Sequence, residues 1–329
     1  MQLVQSVQIA RLLVKIVPFV FVWQQAHGQA LPLQALADDR MPITLQAEHI
    51  GPSLWTENPN EQVGHSKFDT FIPFAQSDLD AYALQLRGSR LRLDRDRVAN
   101  GTTTPVPQEL GSISVGLFSK RRFETKDVVA GDVSFGRSGT ELGSTDSATT
   151  VSANVFWARP KSDDGGQWIY LLSYSNSRST FNNVPLPGFA YSKSFKSENG
   201  QGIWAAGVPF FFGFYRGNPW SGTALVTPFT SSLEGSYTLM GPFAVFAKWA
   251  WQPQGFRVNG GPEERLLYEE FRTQFGLRGP VARWALASIG VVYSDGRRIV
   301  WGDSLFRSVG RESRLDDELG AFFTLAARF

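Results

Sequence analysis

The closing segment of the chain alternates strictly. Leu319, Ala321, Phe323, Leu325, Ala327 and Phe329 are apolar in one register, with Glu318, Gly320, Phe322, Thr324, Ala326 and Arg328 between them. A period of two places these sets on opposite faces of a strand. One face suits lipid; the other mixes small, polar and charged groups. The same period recurs over residues 66–74, 82–94, 112–118, 127–136, 149–158, 167–175, 188–195, 202–208, 222–229, 233–239, 243–251, 266–277 and 282–293. β-branched and aromatic residues dominate these segments, and helical periodicity is scarce. Within 82–94 the leucine parity changes, from Leu84 and Leu86 to Leu91 and Leu93, which predicts a β-bulge at Gly88. Gly241-Pro242 and Gly279-Pro280 read as tight turns, and 252–264 and 295–314 as long loops.

The first thirty residues follow a different pattern. Arg11 and Lys15 precede an apolar run, Ile16 to Trp23, and Gly28-Gln29-Ala30 supplies the small residues of a cleavage site. Residues 1–30 therefore predict a secretory signal peptide, with Ala35-Leu36-Ala37 as a second cleavage option. Its apolar core is too short for a spanning helix, which needs about 20 residues. Mean hydropathy is −0.17, which excludes a bundle of membrane helices.

An exported, strand-rich chain that meets lipid must satisfy every backbone N–H and C=O internally, and only a closed sheet does so without helices. The expected fold is all-β: a closed antiparallel transmembrane β-barrel of about 12 strands, or 14, over residues 66–329. Residues 31–65, with Pro32, Pro42, Pro52 and Pro59, predict an N-terminal periplasmic extension or an irregular first hairpin. The competing reading is a soluble exported β-sandwich, whose aromatic stripes would be core.

Composition sharpens this picture. The chain holds 26 Phe, 10 Trp and 8 Tyr, as a lipid-facing surface with aromatic belts requires. Trp249, Trp251, Tyr293 and Trp301 are the girdle candidates. The absence of cysteine excludes disulfides, thiolate metal sites and cysteine nucleophiles, and the chain has 3 His, so no metal site and no cofactor is expected. The formal net charge is +2, and Arg11 and Lys15 in the signal account for it, so no basic field for nucleic acid remains.

The candidate chemistry is sparse. With a bulge at Gly88, Arg87, Arg90 and Arg92 share the face opposite the leucines. Charge on the lipid face costs about 2–4 kcal/mol at the midplane, so these arginines are expected in the lumen or at a rim. An arginine ladder in the lumen would favour anionic solutes. The balanced total charge favours arginine–carboxylate pairs that fill the interior instead. His65-Ser66 offers a nucleophile beside a base, but no G-x-S-x-G elbow accompanies it, and no enzymatic activity is expected. His49 beside Glu48 is a polar pair of too few ligands for a metal. Asp163-Asp164-Gly165-Gly166 reads as a turn, and Glu269 and Glu270, being adjacent in a strand, should face opposite sides.

The terminal alternation ending on Phe329 resembles the C-terminal signature of Gram-negative outer-membrane proteins, which the barrel-assembly machinery reads. The stretch Leu186-Pro187-Gly188-Phe189-Ala190-Tyr191, followed by Ala206-Gly207-Val208-Pro209-Phe210, resembles an uncharacterised family of outer-membrane β-barrels, a domain of unknown function. Tyr268-Glu269-Glu270 before Gly276-Leu277 and the segment from Gly290 to Arg297 fit the same pattern. The resemblance covers residues 65–329 and implies fold and location without supplying functional residues. The expectation is an outer-membrane barrel with a narrow or occluded lumen, acting as a passive channel or transporter for small solutes. Its partners would be outer-membrane lipid and, during biogenesis, the assembly machinery. A structural or surface-interaction barrel is the alternative, and a lipid hydrolase using Ser66 and His65 the third reading.

Overall fold

The computed structural model describes residues 41, 43–50, 55–56, 63–93, 97–98, 105–140, 148–160, 166–178, 181–257, 265–302 and 312–328. The expected signal peptide, both cleavage options and Phe329 lie outside the described residues.

Sixteen strands close one antiparallel barrel. They are β1 (Thr44–Ile50), β2 (Val63–Gln76), β3 (Asp80–Leu93), β4 (Glu109–Arg122), β5 (Val128–Gly139), β6 (Ala148–Pro160), β7 (Gly166–Ser175) and β8 (Leu186–Ser197). Then follow β9 (Gly200–Val208), β10 (Phe211–Gly217), β11 (Trp220–Val226), β12 (Ser231–Met240), β13 (Phe243–Trp251), β14 (Arg265–Ala282), β15 (Ala285–Trp301) and β16 (Glu318–Arg328). Each pairs with its neighbours in sequence, and β16 closes the ring on β1, with Thr44 opposite Arg328 and Ile50 opposite Phe322. A short pair, Arg97–Val98 with Pro105–Val106, stands outside the wall.

The count of 16 corrects the expectation of about 12 to 14. Every segment with a visible period of two became a strand. The two additional strands are β1 and β10, 7 residues each. Phe211–Gly217 carries aromatics on both faces, so its alternation is weak in sequence. Thr44–Ile50 forms a hairpin with β2, so the barrel begins at Thr44, inside the segment read as extension or irregular hairpin.

Three local expectations also change. Strand β3 runs through Gly88 without a bulge; Gly88 pairs with Phe68 on one side and Ile113 on the other. The glycine instead receives the Phe68 ring, whose carbon would lie 2.1 Å from an added Cβ. Gly279-Pro280 lies within β14, opposite Ala287 and Leu286, and the reversal falls at Arg283-Trp284. Here too an aromatic ring, that of Phe243, occupies the place of the missing side chain of Gly279. The stretch read as a loop from 252 re-enters the sheet as Gln254–Arg257, which continues β13 against the top of β14. Likewise β15 continues to Trp301, past the expected start of the loop at 295. Gly241-Pro242 does form the tight turn expected, with Gly241 at φ +57°.

The two ends of the barrel differ. At the end holding Thr44 and Arg328, connections are short, such as 198–199, 218–219, 241–242 and 283–284. Most connections at the opposite end are longer. The wall is uneven: β14 and β15 have 18 and 17 residues, whereas β10 and β11 have 7 each. The outer face carries an exposed apolar belt that includes Val115, Phe135, Leu172, Phe189, Leu233, Phe275, Ile289 and Phe323. In water, an apolar surface of this continuity would be strongly unfavourable; hydrocarbon covers it without cost.

Candidate functional site

Cross-strand register identifies the inner face. Residues opposite one another across a ladder share a face, so the row Gln46, Asp69, Arg87, Ser114 and Gly136 points to one side throughout. Four regions line this side.

The first is a belt of buried charge. Arg272 on β14 pairs with Glu270 and with Glu48 of β1, the latter at 3.4 Å, and donates to His65 of β2. Lys67 Nζ donates to Gln252 at 3.2 Å. Arg278 pairs with Glu234 at 2.8 Å and lies 4.5 Å over the Phe246 ring. Arg297 pairs with Glu318, and the Tyr268 hydroxyl donates to Glu270 at 3.0 Å. The Arg272 and Lys67 contacts cross the interior, from β14 and the segment after β13 to β1 and β2, while the Arg278–Glu234, Arg297–Glu318 and Tyr268–Glu270 contacts run along the wall.

The second region lies above the belt, toward the longer connections. Val63, Leu91, Leu93, Leu110, Phe256, Leu266, Tyr268, Ile299, Trp301 and Leu315 form one buried apolar cluster. It joins strands β2 to β4 with β13 to β15 across the mouth. The third region is an apolar arc along the inner wall from β2 to β11, including Phe71, Phe118, Phe156, Phe212 and Phe214. Met41 packs into it, its backbone held by both ends of the Gln76 side-chain amide at 2.8 Å.

The fourth region is a polar cavity of about 360 Å³. Seven serines line its wall: Ser89, Ser112, Ser114, Ser152, Ser173, Ser175 and Ser177. Charged groups at its margin are Glu48, Lys67, Asp69, Arg87 and Arg178. Asp69 pairs with Arg87 at 3.3 Å. A hydrogen-bond chain runs beside it: Asn154 Nδ2 donates to both Asp132 oxygens at 3.2 Å, Ser173 Oγ donates to Asn154, and Arg178 donates to Ser173. Arg178 sits in the connection after β7, and burial lowers its guanidinium to about 10. The side-chain amide oxygen Oε1 of Gln46, at the cavity wall, is buried without a hydrogen-bond partner.

The candidate residues separate on this frame. Arg87 faces inward, toward Asp69. With no bulge at Gly88, Arg90 and Arg92 lie on the opposite, outer face, and both are exposed. Arg90 pairs with Glu109 at 2.5 Å. The three arginines therefore form no ladder, and the leucines change face instead: Leu91 and Leu93 enter the apolar cluster. Trp249 is outward, 42% exposed and stacked on Phe271 at 5.9 Å. Tyr293 is outward and donates to Asp317 at 2.7 Å. Trp251 is outward but partly buried, donating to Glu269 at 2.6 Å. Trp301 is 7% exposed and belongs to the inner cluster, so it is no girdle residue. The reason is again register: between Asp295 and Arg298 β15 carries one extra residue opposite Glu270, which shifts its parity, while β14 keeps Leu266, Tyr268, Glu270 and Arg272 on one face.

Alternation also separates His65 from Ser66. His65 points inward to Arg272, while Ser66 points outward, where His49 Nδ1 lies 2.8 Å from its hydroxyl. Among the described residues no carboxylate hydrogen-bonds His49, so the pair lacks the orienting third group of a hydrolase. Glu269 and Glu270 do face opposite sides, toward Trp251 and Arg272 respectively. Asp163-Asp164 lies outside the described residues. Among the described residues no cluster of three or more potential metal ligands occurs.

Sequence reading did not identify the aromatic belt at the short-turn end. It is made of cross-strand pairs: Phe74–Tyr82, Trp157–Tyr170, Trp168–Tyr191, Phe195–Tyr215 and Trp220–Tyr237, the last at 4.7 Å between centroids. Aromatics flanking predicted turns were the available signal. It also missed Arg178, which has no periodic context.

No family model matches the chain, and no curated protein matches it. Similar solved structures include the toluene transporter TodX of Pseudomonas putida, at 9% identity over 91% of this chain and 92% of that one, with a TM-score of 0.42. The outer membrane protein Omp33 of Acinetobacter baumannii is 6% identical over 88% and 98%, with a TM-score of 0.34. The translocator domain of the autotransporter NalP of Neisseria meningitidis is 12% identical over 91% and 92%, with a TM-score of 0.31. With TM-scores this low, the architecture of this chain rests on its own strand pairing.

Proposed function

We propose that this chain is an outer-membrane β-barrel that passes small solutes passively through a lumen closed at rest. The observation that carries this reading is the polar cavity of about 360 Å³ set inside a lipid-coated wall, with an apolar cluster above it. A purely structural barrel of this size would gain nothing from a serine-lined void. The short-turn end would face the periplasm, as in bacterial barrels, and the longer connections the exterior. The charge belt supports a closed state, because sixteen strands otherwise leave an aqueous channel.

The test is conductance of the refolded chain in a planar bilayer. The expected result is low, infrequent conductance that rises in Phe256→Ala, which removes the ring at the centre of the upper cluster. A large steady conductance in the unaltered protein would refute closure. Electrical silence together with no solute uptake into vesicles would favour the surface-interaction reading. Phe329 is proposed as the assembly signal: deleting it should lower barrel yield in cells while refolding in detergent stays normal.

A further inference from the structure

A second, smaller void adjoins the polar cavity. It measures about 30 Å³ and is apolar, lined by Phe156, Leu171, Leu186, Phe210, Leu225 and Phe229 among others. Asn154, Ser173 and Phe229 border both spaces, so the two meet at one seam. Arg178 stands there, its guanidinium carbon 5.0 Å over the Phe229 ring.

Arg178 is 8% exposed. Its Nη1 donates to the Val184 carbonyl at 3.2 Å and its Nη2 to the Ser173 hydroxyl. Both partners are neutral. No carboxylate among the described residues forms an ion pair with it, and the two carboxylates at the cavity margin are engaged elsewhere: Asp69 by Arg87 and Glu48 by Arg272. Another cation, Arg265, donates to the Arg178 carbonyl, and the carboxylate of Asp132 connects to Arg178 through Asn154 and Ser173 rather than directly. A buried charge without a direct counter-charge is costly, and an incoming anion would relieve that cost. The fork of an arginine fits a carboxylate in two parallel hydrogen bonds.

We propose that this seam binds a small organic carboxylate, its head on the Arg178 guanidinium among the serine hydroxyls and its short apolar tail in the adjoining cleft. The cleft has room for only a few carbon atoms, and the cavity lies at the lower end of ordinary ligand sites, which run from about 300 Å³ upward. Both dimensions select a short acid over a long-chain one. The proposal names the solute class of the transport reading and rests on it, but its test does not.

The test is calorimetric titration of the refolded full chain in detergent with hexanoate, hexanamide and acetate. Hexanoate should bind about tenfold or more tightly than hexanamide, which lacks the charge, and than acetate, which lacks the tail. Arg178→Gln should bring hexanoate down to the level of hexanamide. If that variant fails to fold, Leu225→Trp provides the second reading: filling the cleft should reduce hexanoate to the affinity of acetate. Equal binding of hexanoate and hexanamide, no binding of either, or an unchanged hexanoate affinity in Leu225→Trp would overturn the proposal. Binding is read without a membrane gradient, so its failure leaves the conductance result standing, and a silent bilayer leaves the binding result standing.

Discussion

Arg272 is the strongest point at which to perturb the interior. Its side chain is 4% exposed and meets Glu270, itself 3% exposed, together with Glu48 and His65. Arg272→Ala takes from Glu270 and Glu48 the arginine they share. Removing one partner of a buried ion pair costs about 3–5 kcal/mol, because the remaining charge is desolvated and unpaired. At about 1.4 kcal/mol per factor of ten, that lowers the folding equilibrium by at least a hundredfold. The double variant Arg272→Met with Glu270→Gln removes the charge conflict while keeping side-chain volume, and should cost about 1–2 kcal/mol. The assay is urea unfolding of the barrel in lipid vesicles, followed by tryptophan emission, with the slope checked for constancy. If Arg272→Ala lies within about 1 kcal/mol of the unaltered protein, or if the double variant is no milder than the single one, the charge belt is not what ties β1 and β2 to β14.

Gly88→Ala should destabilise by about 1–3 kcal/mol, since its methyl group meets the Phe68 ring, and the addition of Phe68→Ala should recover most of the loss in the same unfolding assay. Brominated lipids should quench a variant retaining Trp249 as its single tryptophan, and leave one retaining Trp301 bright; the reverse order would invalidate the inner placement of Trp301. Glu109→Gln should leave the unfolding midpoint unchanged, because the Arg90–Glu109 pair is exposed on the outer rim and solvent screens it.

Much of the barrel was legible along the chain. In β16 the alternation places Leu319, Ala321, Phe323, Leu325 and Ala327 on the outer face, and Glu318 and Thr324 on the inner face, as read. Glu269 and Glu270 part to opposite sides for the same reason. Where β-strands are short or aromatic on both faces, as in β10, the period of two fades and the strand count falls short. Where glycine stands in a strand, its purpose was misread. At Gly88 a change of leucine parity has two explanations, a bulge that keeps the leucines outside or a regular strand that carries them inside. Only the position of Leu91 and Leu93 under Phe256 and Leu266 distinguishes them.

Export-like patterning, strand alternation and low hydropathy by themselves determine an all-β wall with one lipid-compatible face, because side-chain direction in a strand follows from local backbone geometry. Which face is inside, how many strands close the ring and which charges meet are decided only by tertiary structure. Register connects residues that sequence separates widely: Arg272 and Glu48 are 224 positions apart, and Lys67 and Gln252 are 185 apart. A single strand carries no information about such partners. The crossing charge contacts, the cavity and the placement of Arg178 beside it all arise from that long-range closure.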